Sequence, residues 1–368
     1  MKSFVHRGQI TKVVFGTGTR ARLADEVRAL ERGRALVLCT PGQTGQAREV
    51  GELLGPLTAG VFDQAAAHTP VAVTEKALTA VRAADADCLV SVGGGSTIGL
   101  GKALALRTGL PHLALPTTYA GSEMTPILGE TQGGVKTTRR LPEILLDTVV
   151  YDVDLTLTLP PHVAAVSGLN AMAHAAEALY AQDGDPLAFL AAGEALDALA
   201  EALPAILRDP ADTEARATAL YGAWLAGTCL GTVGMALHHK VCHVLGGSFD
   251  LPHAQTHAVV LPHVIAYNAP AAAAAMARIG RALPGPDPAA AVFDFAGGVG
   301  APRALRDLGM PESGIGKAAD LIVSDGYWNP RPVHRDAVHD LLRRAWAGEP
   351  PARAVLGPSS DPMGARHA

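Results

Sequence analysis

Cys88-Leu89-Val90-Ser91-Val92-Gly93-Gly94-Gly95-Ser96-Thr97 is the stretch on which the reading of the fold turns. A short apolar run of strand type enters three glycines and two hydroxyl residues, and helical spacing begins behind them. Glycine lets a backbone come close to a phosphate oxygen. The helix N-terminus that follows offers unpaired N–H groups and a favourable dipole. A tight strand-to-helix turn with no ligand is the plainer reading of the same residues. The spacing is not GxGxxG, so the usual dinucleotide fingerprint is not what this motif supports.

Working outward, Ala35 to Cys39, Gly60 to Phe62, Leu113 to Leu115 and Val149 to Tyr151 read as further buried strands, each bounded by Gly, Pro or Asp. Helical patterns lie between them near 19–31, 43–55, 71–84 and 97–108. That alternation implies a mostly parallel sheet with helices on both faces, an α/β domain of the nucleotide-binding kind. Gly16-Thr17-Gly18 is a second turn before a helix. Leu115-Pro116-Thr117-Thr118-Tyr119-Ala120-Gly121-Ser122-Glu123 follows a strand and places Thr117, Thr118 and Ser122 at the carboxyl edge of the sheet, where open α/β sheets bind ligands. Thr40 occupies the equivalent loop after Cys39. Lys136, behind Gly133-Gly134, is within reach of a phosphate or ribose, or is a solvated surface lysine.

From Pro160 the pattern changes. PPHVAAVSGLNAMAHAAEALYA and PLAFLAAGEALDALAEALPAIL have apolar spacings of three and four with no alternation, so the second half is expected to be all-helical. The expected division is an α/β domain over 1–157, a helical domain over 158–348 and a mobile Pro/Gly/Ser-rich tail over 349–368. The chain has 368 residues, 48% hydrophobic and only 18% charged, which excludes disorder as the main state. Thirty basic against thirty-five acidic residues give a net charge of −5, and this argues against nucleic-acid or anionic-membrane partners. The first residues lack a signal-peptide core, and no stretch reaches the roughly 18 apolar residues of a spanning helix. Cys39, Cys88, Cys229 and Cys242 form no CxxC pair, so neither a disulfide framework nor a thiolate zinc site is indicated. A cytoplasmic protein is expected.

The histidines carry the strongest signal. Asn170 and His174 are four apart and share a helix face; His239 and His243 repeat that spacing, as do His253 and His257. Five of the fourteen histidines fall between His238 and His257. Such spacing on apolar helices converges on a metal, a substrate anion or a proton relay. Three imidazoles with a carboxylate would suit iron or zinc, but residue 170 is asparagine, whose uncharged carbonyl binds such cations weakly. Lys240 sits about 100° round the helix from His239. Arg331, in YWNPRP, offers a fork suited to a carboxylate or is a surface residue near a turn.

Taken in order, GGGS (93–96), PTTYAGSE (116–123), GLNAMAHAAEALYA (168–181) and HHKVCHVLGGSFDLPHAQTHAVVLPHV (238–264) resemble the iron-containing alcohol dehydrogenase superfamily over about residues 10–345. In that superfamily the metal ligands come from an Asp-x-x-x-His helix and two later histidines spaced by fourteen. His174, His239 and His253 keep those places here, whereas Asn170 stands at the aspartate position and Gly99 replaces the usual aspartate behind the glycine loop. Those departures, with GGGSTIGLGKALAL and YWNPRP, resemble one branch, the maleylacetate reductases.

The resemblance implies a cleft between the two domains, a homodimer, and reduction of a dicarboxylate, maleylacetate, to 3-oxoadipate with NADH or NADPH and no obligatory metal. Gly93, Gly94, Gly95, Ser96, Thr97, Thr117, Thr118, Ser122, Lys136 and Thr40 are then expected at the coenzyme. His243 or His253 is expected to stabilise an enolate or donate a proton, with His174 and His239 lining the site. Asn170, Lys240, His257 and Arg331 are expected at the substrate. No carboxylate follows the second strand, so both coenzymes fit. Three rival readings remain: a metal-dependent alcohol or polyol dehydrogenase of the same superfamily, a lyase on the related dehydroquinate synthase or glycerol-1-phosphate scaffold, and a nucleotide-binding module without turnover.

Overall fold

Six short strands, most of them buried along their whole length, form one parallel sheet in the computed structural model, which describes residues 4–6, 8, 10–324 and 326–353, without the side chain of Lys136. The α/β part runs β1 (Lys12–Gly16), α1 (Leu23–Ala29), β2 (Ala35–Leu38), α2 (Thr44–Leu54), β3 (Thr58–Phe62), α3 (Val71–Ala83), β4 (Cys88–Gly93), α4 (Gly95–Thr108) and β5 (His112–Pro116). It continues with β6 (Ile127–Gln132), β7 (Val135–Arg140) and β8 (Thr148–Asp152). The sheet order is β1-β8-β5-β4-β2-β3. Helices cover both faces, so β4, β5 and β8 are buried throughout and read as unbroken apolar runs. The edge strand β1 is only partly buried, and the sequence reading missed it for that reason.

Strands β6 and β7 form an antiparallel hairpin that the sequence reading also missed. Its turn holds Gly133 at φ 56° and Gly134 at φ 78°, and two successive left-handed residues are what a tight hairpin asks of glycine. The chain then turns all-helical: α5 (Pro161–Ala178), α6 (Pro186–Arg208), α7 (Thr213–Thr232), α8 (Leu237–Phe249), α9 (His253–Asn268), α10 (Ala273–Ala282), α11 (Pro288–Gly298), α12 (Gly314–Ser324) and α13 (Arg335–Ala347). No single helix among the described residues is long and apolar enough to cross a membrane. One apolar cluster carries Ile98, Tyr119 and Tyr151 of the α/β part together with Leu169, Met172 and Leu261 of the helices, so the two parts share core. Of the expected tail, residues 354–368 lie outside the described residues.

Candidate active site

The strand order fixes where a ligand can sit. From β2 the chain moves outward to β3, then returns across β2 to β4 and continues the other way through β5 and β8. Connections leave the carboxyl ends of β2 and β4 in opposite directions, and at such a switch point an open α/β sheet forms a crevice. A cavity of about 700 Å³ lies there, lined among others by Thr40, Gln43, Gly94, Ser96, Thr117 and Thr118, and closed from the helical side by Thr158 to Pro160.

Glycine is needed in this crevice. Gly93 has φ 152°, and a Cβ on it would lie 2.5 Å from Thr97 Oγ1 and 2.7 Å from Gln43 Oε1. A Cβ on Gly94 would lie 2.8 Å from Thr118 Oγ1. No side chain caps α4, and the carbonyl of its cap residue Gly94 accepts the N–H groups of Thr97 and Ile98, both at 3.1 Å. Thr40 Oγ1 donates to Gln43 Oε1 at 2.9 Å and Gln43 Nε2 donates to Thr117 Oγ1 at 2.7 Å, joining the loops after β2 and β5 in one line. This backbone-lined cradle has the form that a pyrophosphate requires. Gln43 was missed from the sequence, although it lies three residues after Thr40. Lys102 was missed too. It is fully buried and donates to Ser122 O, Thr125 Oγ1 and Ile127 O at 2.6, 3.0 and 3.0 Å, tethering the loop after β5. Burial pushes its ammonium down to about 7, with Glu123 pulling the other way. Lys136 lies in β7, and its side chain is outside the described part of the structure. A Cβ on Gly99 would meet Thr69 Oγ1 at 2.5 Å, so an aspartate has no room at this position without displacing Thr69.

The loop after β5 joins the cradle to the helices. Tyr119 N–H donates to Ser167 Oγ of α5 at 2.9 Å. Gly121, at φ 73°, crosses Gly227 of α7 so closely that a Cβ on Gly227 would lie 2.4 Å from the Gly121 oxygen. Pinned in this way, the loop carries Thr117 and Thr118 at the cradle. Two residues later the Ala120 carbonyl lies 3.3 Å from His174 Nε2 and 3.5 Å from Asn170 Nδ2.

Asn170, His174 and Glu177 lie on one face of α5, at spacings of four and three. Asn170 Nδ2 is 3.1 Å from His174 Nε2, His174 Nδ1 is 2.9 Å from His239 Nε2, and His239 Nδ1 is 2.7 Å from Glu177 Oε2. Glu177 also accepts the N–H groups of Ala236 and His238, both at 2.8 Å, and so closes the start of α8, which has no side-chain cap of its own. His238 Nε2 lies 2.9 Å from His257 Nδ1. The rings form one cluster, with centroids 5.2 Å apart for His239 and His257, 4.3 Å for His253 and His257, and 6.2 Å for His239 and His243.

Burial divides this cluster. Asn170, His174, His238, His239 and His257 are buried, while His243 and His253 are exposed. Burial first, then the neighbouring imidazoles, holds His174, His238 and His257 well below the usual histidine range, so these rings are neutral at neutral pH. Buried rings form the floor, and two exposed rings form the rim. Lys240 projects toward Tyr327, its Nζ 5.8 Å from that ring's centre. Arg331 is not brought to the histidines by any contact described. Its guanidinium stacks 4.6 Å over Tyr267, donates to the Tyr267 carbonyl at 2.9 Å, and lines a separate cavity with His263 and Arg344.

The positions that hold a metal in the superfamily fit one poorly here. Asn170, His174, His239 and His253 include no carboxylate. The nearest nitrogens of His174 and His239 are spent on each other, and the Asn170 nitrogen points at His174. A cation would have to break both contacts without gaining an anionic ligand. Among the described residues, His238, Cys242 and His257 also bring donor atoms within 4.8 Å of one another, all buried. Burial and the Glu177 charge push the Cys242 thiol up, away from the thiolate a metal needs.

Residues 11–153 match the iron-containing alcohol dehydrogenase family, and residues 164–346 match the C-terminal part of the Fe-containing alcohol dehydrogenase family. A maleylacetate reductase of a Rhizobium species is 55% identical over 95% of this chain and all of its own length, and one of Sphingobium indicum is 53% identical over 95% of this chain and 99% of its own. The crystal structure of a maleylacetate reductase from Agrobacterium tumefaciens superposes with a TM-score of 0.92 at 55% identity, covering 95% of this chain and all of that one.

Proposed function

This chain belongs to the iron-containing alcohol dehydrogenase family, within it to the maleylacetate reductases, and on that basis we propose that it reduces the carbon–carbon double bond of maleylacetate to give 3-oxoadipate in the catabolism of aromatic compounds. It is an oxidoreductase acting on a CH–CH group of a small-molecule substrate with a nicotinamide coenzyme, NADH or NADPH. The proposal includes independence of any metal, a cytoplasmic location, and a homodimer, the homodimer on the strength of the resemblance alone.

The reduced nicotinamide, when bound, supplies the hydride. Gly94 to Ser96, Thr117, Thr118 and the Thr40–Gln43 line hold the coenzyme, with Gly93 and Thr97 buried behind them and the start of α4 facing its phosphates. Maleylacetate's alkene is conjugated to a ketone. A hydride added at the carbon β to that ketone leaves an enolate, and protonation of the neighbouring carbon completes the reduction. Only groups that bind the enolate better than the neutral ketone accelerate this step. His243 and His253 are the exposed rings of the cluster, and they hold the enolate oxygen or give the proton. His174, His239, His257 and Asn170 shape the floor beneath them, with Lys240 near the rim.

The observation that carries the reading is the replacement of a metal-ligating carboxylate by Asn170, inside a hydrogen-bonded histidine floor topped by two exposed histidines. The test is to follow oxidation of NADH by metal-stripped protein given maleylacetate, with EDTA present. Sustained turnover is expected. No turnover, with activity recovered on adding iron or zinc together with a simple alcohol and NAD, would assign the chain to metal-dependent alcohol oxidation instead.

A further inference from the structure

We propose that the cavity between α9, α13 and the segment after α12 is a second ligand site, which takes a small carboxylate with an apolar body, an aromatic acid of about the size of benzoate. It goes beyond the proposed reduction and does not depend on it.

The cavity has a volume of about 270 Å³. Helix α9 gives it His263 and Tyr267, α13 gives it Asp340 and Arg344, and the segment after α12 gives it Arg331. Arg353, beyond the end of α13, faces it as well. It has less than half the volume of the coenzyme crevice and shares no lining residue with it. Three guanidinium groups thus meet one carboxylate on the wall. Asp340 lies 3.1 Å from Arg344 Nε. Glu349, 3.5 Å from Arg344 Nη1, is already held by Arg343 through both oxygens, at 2.8 and 3.1 Å. Four arginines therefore stand against two carboxylates, in a chain whose net charge is −5. This local excess of positive charge favours an anion.

Two of the groups are prepared for a ligand. Arg331 Nη1 donates to the Tyr267 carbonyl at 2.9 Å, and its guanidinium stacks 4.6 Å over the Tyr267 ring. That bond and that stack fix the plane of the group, and among the described residues its Nε and Nη2 meet no acceptor. A guanidinium held still with N–H groups to spare is the fork that binds a carboxylate through two parallel bonds. His263 closes the buried end. It is 3% exposed, stands edge-on to Phe293, and has no partner at either ring nitrogen. Buried polar groups are seldom left unpaired, and a neutral imidazole has one N–H to give. A ligand oxygen is the acceptor it lacks.

The remaining wall selects the body of the ligand. Ala266, Pro270, Ala337 and Leu341 offer no hydrogen-bonding side chain, so they suit carbon. Inorganic phosphate has the right charge but turns oxygen toward that wall on every side. A nucleotide is too large for the space.

The test is calorimetric titration of the full-length protein with benzoate, with NADH and 3-oxoadipate at saturation to fill the cleft. One benzoate per chain is expected. Acetate, which lacks the body, and benzyl alcohol, which lacks the charge, should each bind at least about tenfold more weakly, and phosphate should not compete. Arg331→Ala should raise the benzoate Kd about 10- to 100-fold, the worth of a charge-assisted hydrogen bond. Arg331→Lys, which keeps the charge without the fork, should recover only part of that affinity. Ala337→Phe fills the cavity from α13 with no change of charge and should abolish binding. The proposal is overturned if the wild type takes up no benzoate, if phosphate or acetate binds as well as benzoate, or if Arg331→Ala and Ala337→Phe bind benzoate as the wild type does. Should Arg331→Ala fail to fold, Ala337→Phe and Arg344→Ala decide, the second with an expected loss of affinity of the same order. If 3-oxoadipate does not occupy the cleft, the reduction is in question, and the variants still locate benzoate, because neither Arg331 nor Ala337 lines the coenzyme crevice.

Discussion

At the carboxyl edge of the sheet the site is built from backbone, with Gly94, Gly95 and the start of α4 facing a cavity whose walls carry hydroxyls, the Gln43 and Gln46 amides and the Glu49 carboxylate. On α5, α8 and α9 it is built from ring nitrogens that pair at 2.9 Å, beside the Asn170 carboxamide and over a buried carboxylate. The first region recognises by shape and N–H direction, and added bulk damages it. The second works through the location of protons, and an isosteric change in donor and acceptor damages it without altering shape. Substitutions in the two regions should therefore separate affinity from rate.

The largest effect belongs to the rim of the histidine cluster. The double variant His243→Asn with His253→Asn should lose about 10²- to 10⁴-fold in kcat, the usual worth of a positioned acid–base group, while binding NADH as the wild type does. Stopped-flow turnover with a parallel coenzyme titration checks both halves, and retention of native kcat would end the separation drawn here. Next comes Asn170→Asp, which supplies the missing anionic ligand beside His174. Zinc retained after dialysis should rise by about 10- to 100-fold in affinity, with a fall in metal-free turnover. An Asn170→Asp protein that binds no more zinc than the wild type would show that something other than residue 170 disfavours the metal.

The cradle comes third. Gly93→Ala introduces a Cβ against Thr97 and Gln43 at a backbone angle that suits glycine. The strain is worth about 1–3 kcal/mol, so the coenzyme Kd should rise about tenfold, while kcat at saturating coenzyme stays near native. A drop in kcat with unchanged Kd would show that the glycines serve the chemistry.

The same contrast explains what could be read from the sequence. The glycine cradle and the histidine spacings were legible because each needs a rare residue type at a short fixed interval, and local geometry alone brings Gly93 to Ser96, or Asn170 and His174, together. The strands β4, β5 and β8 were legible because both of their faces are buried. The edge strand β1 lacks that mark. The β6–β7 hairpin carries its signal in Gly133-Gly134, which equally suits a lead-in to Lys136. Glu177 resembles a solvated glutamate in an alanine-rich helix, although its spacing of seven from Asn170 and three from His174 puts it on their face. Arg331 goes the other way. A guanidinium fork suits a carboxylate in sequence terms, but here a backbone carbonyl and the Tyr267 ring hold it in place, and no spacing rule reports on partners 64 residues apart.

The smallest effect lies outside both regions and calibrates the buried histidines. His263 on α9 is buried with both ring nitrogens unpartnered, set edge-on to Phe293. Burial, helped by the Arg344 charge and opposed by Glu349 and Asp340, lowers it to about 4 from the ordinary 6.5. Between those values the unfolded chain binds a proton here that the folded chain refuses, so stability falls as pH falls from about 6.5 toward 4. One proton corresponds to about 1.4 kcal/mol per pH unit. His263→Leu removes that proton from the balance. Its stability curve should therefore be shallower than the wild type by about that slope over this window and parallel to it above pH 7, with activity at neutral pH unchanged, since His263 belongs to neither the cradle nor the cluster. Urea titrations at several pH values measure the slope. Parallel curves below pH 6.5 would mean that this ring is protonated in the fold, and the neutrality assigned on the same physical ground to His174, His238 and His257 would then have to be measured ring by ring.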